Sequence, residues 1–151
     1  MRILFLCTAN TCRSQMAEAL LQEKVKNTDI DVEIRSTGIQ AIKGDATSVN
    51  TQLILQEKGI EHFELAQPID WAILTWADLI LAMTREHQLH TIRLFPEIKN
   101  KVRVLKEFVG YNNNLDINDP FGENIDVYRQ CANEIEQTLN LLLPKLQGKP
   151  I

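Results

Sequence analysis

The first 25 residues restrict the fold more than any other part of the chain. Met1 to Leu6 is an apolar, β-prone run, as expected for a buried strand. From Ser14 the apolar residues recur three or four positions apart, which predicts a helix capped by Ser14 and ending near Lys26. Between strand and helix lies the short loop Cys7-Thr8-Ala9-Asn10-Thr11-Cys12-Arg13. A strand, a tight loop and a helix in this order are typical of an α/β fold.

The rest of the chain continues the alternation of strands and helices. Further strands are predicted over 32–38, weakly over 60–65, and over 78–83 and 102–105, with helices over 47–58, 70–75, after Thr84, and over 124–146. This order predicts a doubly wound parallel sheet flanked by helices, in a single domain that spans residues 1–151. In such sheets the active crevice lies beyond the carboxyl ends of the strands, where Cys7 is placed.

Composition narrows the function and the cellular compartment. The net charge of −4 argues against a nucleic-acid partner, because proteins that bind nucleic acid need a basic surface. No apolar stretch approaches the length of a membrane span, so no membrane partner is expected. Three cysteines, an odd number in a chain of 151 residues, do not suggest a disulfide framework. We therefore expect a cytoplasmic protein with reduced thiols that acts as a monomer.

The loop carries a cysteine and an arginine in the spacing Cys-x5-Arg. A loop at a helix N-terminus directs backbone N–H groups and positive potential toward an anion, and Arg13 adds a planar fork of donors for two phosphate oxygens. Cys7 is then the nucleophile, and the same potential is expected to lower the pKa of its thiol, leaving it largely thiolate at neutral pH. The rest of the phosphate site is predicted to be formed by Thr8, Ala9, Asn10, Thr11, Cys12 and Ser14.

Three side chains of this segment have expected roles beside the phosphate. Ser14 is expected to donate its hydroxyl to the sulfur of Cys7, and Asn10 to brace a strained, left-handed turn of the loop. Cys12 is either a small packing residue or the partner of Cys7 in a reversible disulfide formed under oxidation. Cys131, in the last helix, is expected to be inert packing.

A thiolate phosphatase also needs a proton donor for its leaving group. Asp119, in the segment Asp-Pro-Phe-Gly at 119–122, lies at the end of a long loop, and Asp116 is its rival in the same loop. Such an acid protonates the departing atom and, as a carboxylate, then deprotonates the water that hydrolyses the phosphocysteine. The residues alone leave the choice between the two aspartates open.

Four segments in order resemble the low-molecular-weight protein tyrosine phosphatases over essentially the whole chain: CTANTCRSQMAEALL, RSTG, ADLILAMT and DPFG. The resemblance implies a four-stranded parallel sheet with the phosphate-binding loop after strand 1. It also implies that Asp119 is the general acid, and that Asn10, Ser14 and Ser36 support the loop and tune the thiolate. Enzymes of this kind need no metal and no cofactor.

Thr11 and Phe121-Gly122 resemble the bacterial protein-arginine-phosphatase branch of the family. Many tyrosine-specific members have a bulkier aliphatic residue in place of Thr11 and tyrosines after the Asp-Pro pair. The resemblance implies phosphorylated proteins as partners, with phosphoarginine as substrate, Thr11 selecting it and Phe121 lying along the arginine stem. Phosphotyrosine is the alternative substrate.

The chain also departs from the family pattern at two positions. Ala9 stands where glycine is usual, which would add strain if residue 9 were left-handed. Gln15 stands where proline is usual, so the first turn of the helix loses pre-organisation.

Other functions and other residues fit the sequence less well. An arsenate reductase would relay electrons through two further cysteines, and the stretch 75–95 contains none. A phosphoryl carrier would not need Arg13, and a phosphopeptide-binding module would not need both Cys7 and Asp119.

His87 and His90 are predicted to lie on a solvated helix face rather than to bind a metal. The two tryptophans, Trp71 and Trp76, are predicted to pack a short helix onto the sheet.

Overall fold

A computed structural model describes residues 1–147 and contains one four-stranded sheet in this part of the chain. All strand pairs are parallel, and the order is β2-β1-β3-β4, for strands β1 (Arg2–Cys7), β2 (Glu33–Gly38), β3 (Leu79–Ala82) and β4 (Val102–Val104). The helices are α1 (Arg13–Val25), α2 (Val49–Glu57), α3 (Trp71–Trp76), α4 (Arg85–Leu94), α5 (Leu105–Phe108) and α6 (Ile125–Leu146). The predicted doubly wound four-stranded α/β fold is confirmed.

The central strand β1 is buried on both faces. Ile3 and Phe5 belong to one apolar core, and Leu4 and Leu6 belong to the core on the opposite face, because successive side chains of a strand point to opposite sides. Helices α1 and α6 cover the first face and contribute Met16, Leu20, Ile135 and Leu139. The second face is covered by residues that include Leu74 and Ile98. An apolar run without polar alternation is therefore what β1 requires.

Segment 60–65, a weak strand candidate, is not a strand. Phe63 is 84% exposed and Leu65 50% exposed, whereas Ile60 packs partly buried against the first core. A single backbone hydrogen bond, from Ile60 N to the Leu55 carbonyl at 2.9 Å, holds the start of the segment. Two short elements escaped prediction, the 3₁₀-helix Pro96–Lys101 and helix α5. Both are too short to show an apolar period.

The two tryptophans of α3 differ in their environments. Trp76 is half-buried, packs against the second core and lies under the Arg35 guanidinium, 4.4 Å from the ring centroid. Trp71 is 51% exposed and stacks on Phe95, with ring centroids 6.2 Å apart. The prediction of core packing is right for Trp76 and wrong for Trp71.

The fully buried residues of helix α4 are polar, and Ile92 packs partly buried against the second core. His87 and Thr91 are its buried residues, whereas Leu89 is 45% exposed and Leu94 is 56% exposed. The prediction that His87 lies on a solvated face is therefore wrong. Its ring turns inward toward the loop after β1, where Nε2 lies 2.8 Å from Thr8 Oγ1.

The strand order reverses direction between β1 and β3, because β2 lies on one side of β1 and β3 on the other. A crevice opens at such a reversal, beyond the carboxyl ends of the two strands. The long loop that precedes α6 is tied to this end of the sheet, since Ile117 N donates to the carbonyl of Met83 at 2.9 Å. The fold thus brings together the loop after β1, the start of α4 and the long loop that precedes α6. Within residues 1–147, no helix has the length and apolarity needed to cross a membrane.

Candidate active site

The loop after β1 wraps around the sulfur of Cys7. Cys7 is 3% exposed, and its Sγ lies 2.8 Å from the hydroxyl oxygen of Ser14. Backbone N–H groups of Ser14 and Asn10 also act on this thiol and lower its pKa. The predicted role of Ser14 as helix cap is wrong: α1 begins at Arg13, Cys12 is at the N-cap position, and the Ser14 hydroxyl contacts Cys7 instead.

Asn10 is the left-handed residue of the loop, with φ of 59°. Its side-chain amide donates to Ser14 Oγ at 2.7 Å and to Ser36 Oγ at 2.9 Å, and its Oδ1 accepts from the backbone N–H of Gln67 at 2.9 Å. Asparagine tolerates this backbone better than most residues, and these bonds over-determine it. Ala9 does not have a positive φ, so the strain expected from its methyl group does not arise.

Two residues that sequence reasoning did not assign also shape the loop. Gly38 lies so close beneath it that a Cβ there would stand 2.5 Å from the carbonyl oxygen of Thr8 and 2.8 Å from Asn10 N, so only glycine fits. Gln15 is fully buried, donates to the Asn10 carbonyl at 3.1 Å and bonds through Oε1 to His62 Nε2. The pre-organisation that proline would have given is therefore replaced by a buried amide.

Glu18 lies on α1 next to His62 and is 3% exposed. Its Oε2 is 3.6 Å from His62 Nε2, and no hydrogen-bond partner for this oxygen exists among residues 1–147. Burial raises the pKa of Glu18 to about 7, and the charge of Glu64 acts in the same direction. Burial also lowers the pKa of His62, so the two side chains face each other without opposite full charges near neutral pH.

We expect Glu18→Gln to stabilise the protein above neutral pH. The folded state holds the Glu18 proton up to about pH 7, whereas the unfolded chain releases it near the ordinary carboxyl pKa of 4.5. This group therefore lowers stability progressively as pH rises through that window, by on the order of 3 kcal/mol at most. Urea unfolding at about pH 5 and about pH 8 should show an advantage of the variant that grows with pH. Glu23→Gln, an exposed change on the same helix, is the control. A free-energy difference that does not change with pH would contradict the assignment.

The loop after β1 and the long loop that precedes α6 enclose a cavity of about 210 Å³. It is lined by Cys7, Thr8, Ala9, Thr11, Cys12, Arg13, Asp119 and Phe121. Every predicted catalytic residue is in this set, as are both predicted specificity residues. Asn10 and Ser14, also predicted as part of the phosphate site, do not line the cavity; their side chains bond to each other behind the loop, and Asn10 also bonds to Ser36.

Arg13 is 5% exposed and is held by three groups. Its Nη1 donates to the carbonyl of Ile117 at 2.8 Å, and its Nη2 donates to Thr8 Oγ1 at 3.3 Å. The same Nη2 lies 3.6 Å from Oδ2 of Asp119. The guanidinium is therefore held at the cavity by contacts within the chain, so an anion that bound there would cost it little ordering entropy. The carbonyl of Ile117 carried no sequence signal, because any residue presents one.

The two rival aspartates are separated by position. Asp119 lines the cavity with its side chain 49% exposed, and its Oδ1 accepts from Phe121 N at 3.0 Å. Asp116 lies outside the cavity lining. Its Oδ1 accepts from the backbone N–H of Arg85, the first residue of α4, at 2.9 Å. This arrangement favours Asp119 as the proton donor and gives Asp116 a capping role.

Burial is the largest influence on the thiol of Cys7 and raises its pKa. The groups that lower it are all present: the Ser14 hydroxyl first, then the charge of Arg13 and the two backbone N–H groups. The sequence led us to expect a lowered pKa, and that expectation is wrong because burial outweighs these contacts. A thiolate at this position depends on each of them.

The second loop cysteine has its own buried polar environment. Cys12 Sγ lies 3.4 Å from Oγ of Ser48, the N-cap of α2, and 3.4 Å from Oη of Tyr128 in α6. The sequence did not indicate either contact. All three cysteines are free, and Cys131 is buried in the first core. The reversible disulfide between Cys7 and Cys12 stays a prediction. Among residues 1–147, no three His, Cys, Asp or Glu side chains cluster as metal ligands.

Comparison with known proteins agrees with this geometry. The family model described as low molecular weight phosphotyrosine protein phosphatase matches residues 2–150. The chain belongs to this family. A protein-arginine-phosphatase of Geobacillus stearothermophilus is 43% identical over 146 residues, covering 97% of this chain and 96% of that one. The PtpB low molecular weight protein-tyrosine-phosphatase of Staphylococcus haemolyticus is 35% identical, covering 94% and 95%.

Solved structures of family members match the fold closely. The YwlE arginine phosphatase from Geobacillus stearothermophilus superposes with a TM-score of 0.91 at 43% identity, covering 97% of this chain and 92% of that one. A cysteine-to-serine mutant of the YwlE arginine phosphatase, with a phosphorylated active-site serine, gives a TM-score of 0.95 at 36% identity, covering 99% and 97%.

Proposed function

We propose that this family member is a protein-arginine-phosphatase that works through a phosphocysteine at Cys7. The observation that carries the proposal is the shared cavity, which places the thiol of Cys7, the guanidinium of Arg13 and the carboxyl of Asp119 around one small space. A dianionic phosphoryl group is complementary to a loop of backbone N–H groups with an arginine at its edge. The two relatives named protein-arginine-phosphatase, at 43% and 37% identity, support the same substrate.

The reaction runs in two balanced steps. In the first, the Cys7 thiolate attacks phosphorus, the P–N bond of phosphoarginine breaks, and Asp119 gives its proton to the departing guanidine nitrogen. In the second, the Asp119 carboxylate takes a proton from water while the water oxygen attacks phosphorus. The P–S bond breaks, phosphate leaves, and Cys7 is a thiolate again. Arg13 and the loop N–H groups hold the phosphoryl oxygens throughout.

The preference for arginine is proposed to come from Thr11, Asp119 and Phe121. Thr11 presents a short polar wall, and its position is fixed because its carbonyl accepts from Ser48 N at 3.0 Å. A carboxylate pairs with the fork of a guanidinium, which a phenol lacks. Phe121 is 72% exposed at the rim, where an apolar ring can lie along the arginine stem.

We expect the wild-type protein to hydrolyse phosphoarginine peptides with a higher kcat/KM than matched phosphotyrosine peptides. Thr11→Ile should lower the ratio of the two values by about 10- to 200-fold, the range for one added aliphatic group in a tight pocket. Thr11→Val, which removes the hydroxyl at nearly constant volume, shows how much of the preference is polar. If the wild-type enzyme prefers phosphotyrosine and Thr11→Ile leaves the ratio of the two kcat/KM values unchanged, the phosphoarginine proposal is wrong and phosphotyrosine is the substrate.

The remaining parts of the proposal concern assembly and compartment. All the residues that line the cavity come from one chain, so a monomer has a complete site. We propose that the chain acts as a single domain over residues 1–151, of which 148–151 lie outside the described part. Its three free thiols favour the reducing cytoplasm.

A further inference from the structure

His87 is a buried histidine on a helix whose other residues are mostly exposed or half-buried. It lies in the first turn of α4, is 4% exposed, and its backbone N–H donates to Thr84 Oγ1 at 3.1 Å. Its ring points toward the loop after β1, where Nε2 lies 2.8 Å from Oγ1 of Thr8. Thr8 is one of the residues that line the cavity. A histidine that sequence reasoning placed in solvent is thus one hydrogen bond from the phosphate site.

The hydroxyl of Thr8 joins His87 to Arg13. Its oxygen accepts from Arg13 Nη2 at 3.3 Å, and a hydroxyl has two lone pairs and one hydrogen. If His87 Nε2 also donates to this oxygen, both lone pairs are occupied. The hydrogen of the Thr8 hydroxyl is then left for an acceptor in the cavity, where a phosphate oxygen would lie.

The surroundings of His87 favour this direction of donation. Burial is the main cause that lowers the pKa of His87 to about 4, helped by the charges of Arg13 and His90 and opposed by those of Asp116 and Asp119. The ring is therefore neutral near pH 7 and carries one hydrogen. Nδ1 is buried and has no partner among the described residues. A buried N–H without an acceptor is rarer than an unpaired acceptor, so the hydrogen is assigned to Nε2.

We propose that His87 is a positioning residue for phosphoryl transfer, which orients the Thr8 hydroxyl so that it donates to the phosphate while holding the Arg13 guanidinium. The inference rests on the proposed function of the cavity, and adds to it a residue from the other side of the strand reversal. His87 touches no reacting atom. It acts through Thr8, and so its effect depends on the Thr8 hydroxyl.

A double-mutant cycle of His87→Leu and Thr8→Val tests this dependence on the hydrolysis of p-nitrophenyl phosphate. Each single change is expected to lower kcat/KM by about 10- to 100-fold, the range for one hydrogen bond involving a charged group. The double variant should lose no more than Thr8→Val alone, because the target of His87 is then already absent. His87→Gln, whose amide N–H can reach Thr8, should restore most of the activity.

The controls separate positioning from folding. His90→Gln, on the same helix but outside the cavity lining, should leave kcat/KM unchanged. If His87→Leu does not fold, His87→Asn, whose amide is too short to reach Thr8, replaces it in the cycle. Losses that multiply in the double variant, or an active His87→Leu with wild-type kcat/KM, would overturn the role of His87. A wild-type protein without phosphatase activity would instead refute the proposed function itself.

Discussion

Cys7→Ser is expected to abolish turnover of phosphoarginine and of p-nitrophenyl phosphate. A serine hydroxyl is far less acidic than a thiol and stays protonated here, so the loss should be about 10⁴-fold or more, as for the removal of other catalytic nucleophiles. Phosphate binding should persist, because Arg13 and the loop N–H groups are untouched. Steady-state hydrolysis and calorimetric titration with inorganic phosphate measure the two quantities separately.

Cys131→Ser is the matched control for this change. Cys131 is a free, buried cysteine of the first core and does not line the cavity. At a temperature where it stays folded it should keep wild-type kcat/KM. Activity that survives in Cys7→Ser would remove Cys7 from the chemistry.

Asp119→Asn is expected to lower kcat for phosphoarginine by about 10²- to 10⁴-fold, because the leaving nitrogen loses its proton donor and the water loses its base. The loss should be smaller for p-nitrophenyl phosphate in the first step, since p-nitrophenolate leaves without a proton. Single-turnover kinetics with both substrates therefore separate the acid role from the base role.

Asp116→Asn is the comparison for the acid. Its side chain can still accept the hydrogen bond from Arg85 N, so the start of α4 should remain capped and activity should stay near the wild-type value. If the Asp116 variant were the inactive one and the Asp119 variant active, the two aspartates would exchange roles.

The sequence predicted the parts of this site that depend on local order along the chain. Cys7 lies at the end of an apolar strand and Arg13 at the start of the next helix, so their places at the carboxyl end of the sheet follow from periodicity and from the topology of parallel sheets. The left-handed conformation of Asn10 followed from its residue type. Asp119 needed the family resemblance, because an aspartate before proline is common in ordinary turns.

What the sequence could not supply are contacts between distant segments. His87 lies 79 positions from Thr8, and the sequence wrongly placed it on a solvated helix face. A signal was present, since His87 follows the end of a buried strand by one capped turn, where such sheets place their functional residues. The raised pKa of Cys7 was likewise hidden, because the burial of the sulfur depends on how the whole loop closes around it.

Trapping the covalent intermediate tests the central claim most directly. Asp119→Ala is mixed with radiolabelled p-nitrophenyl phosphate, whose good leaving group allows the first step while hydrolysis of the intermediate is slow. The protein is then denatured at neutral pH, digested and analysed by mass spectrometry. The label should be found on the peptide that contains Cys7, bound through sulfur, and should be absent from the Cys7→Ser/Asp119→Ala double variant. Label on another residue, or none on a variant that still releases a burst of p-nitrophenol, would contradict catalysis through a phosphocysteine at Cys7.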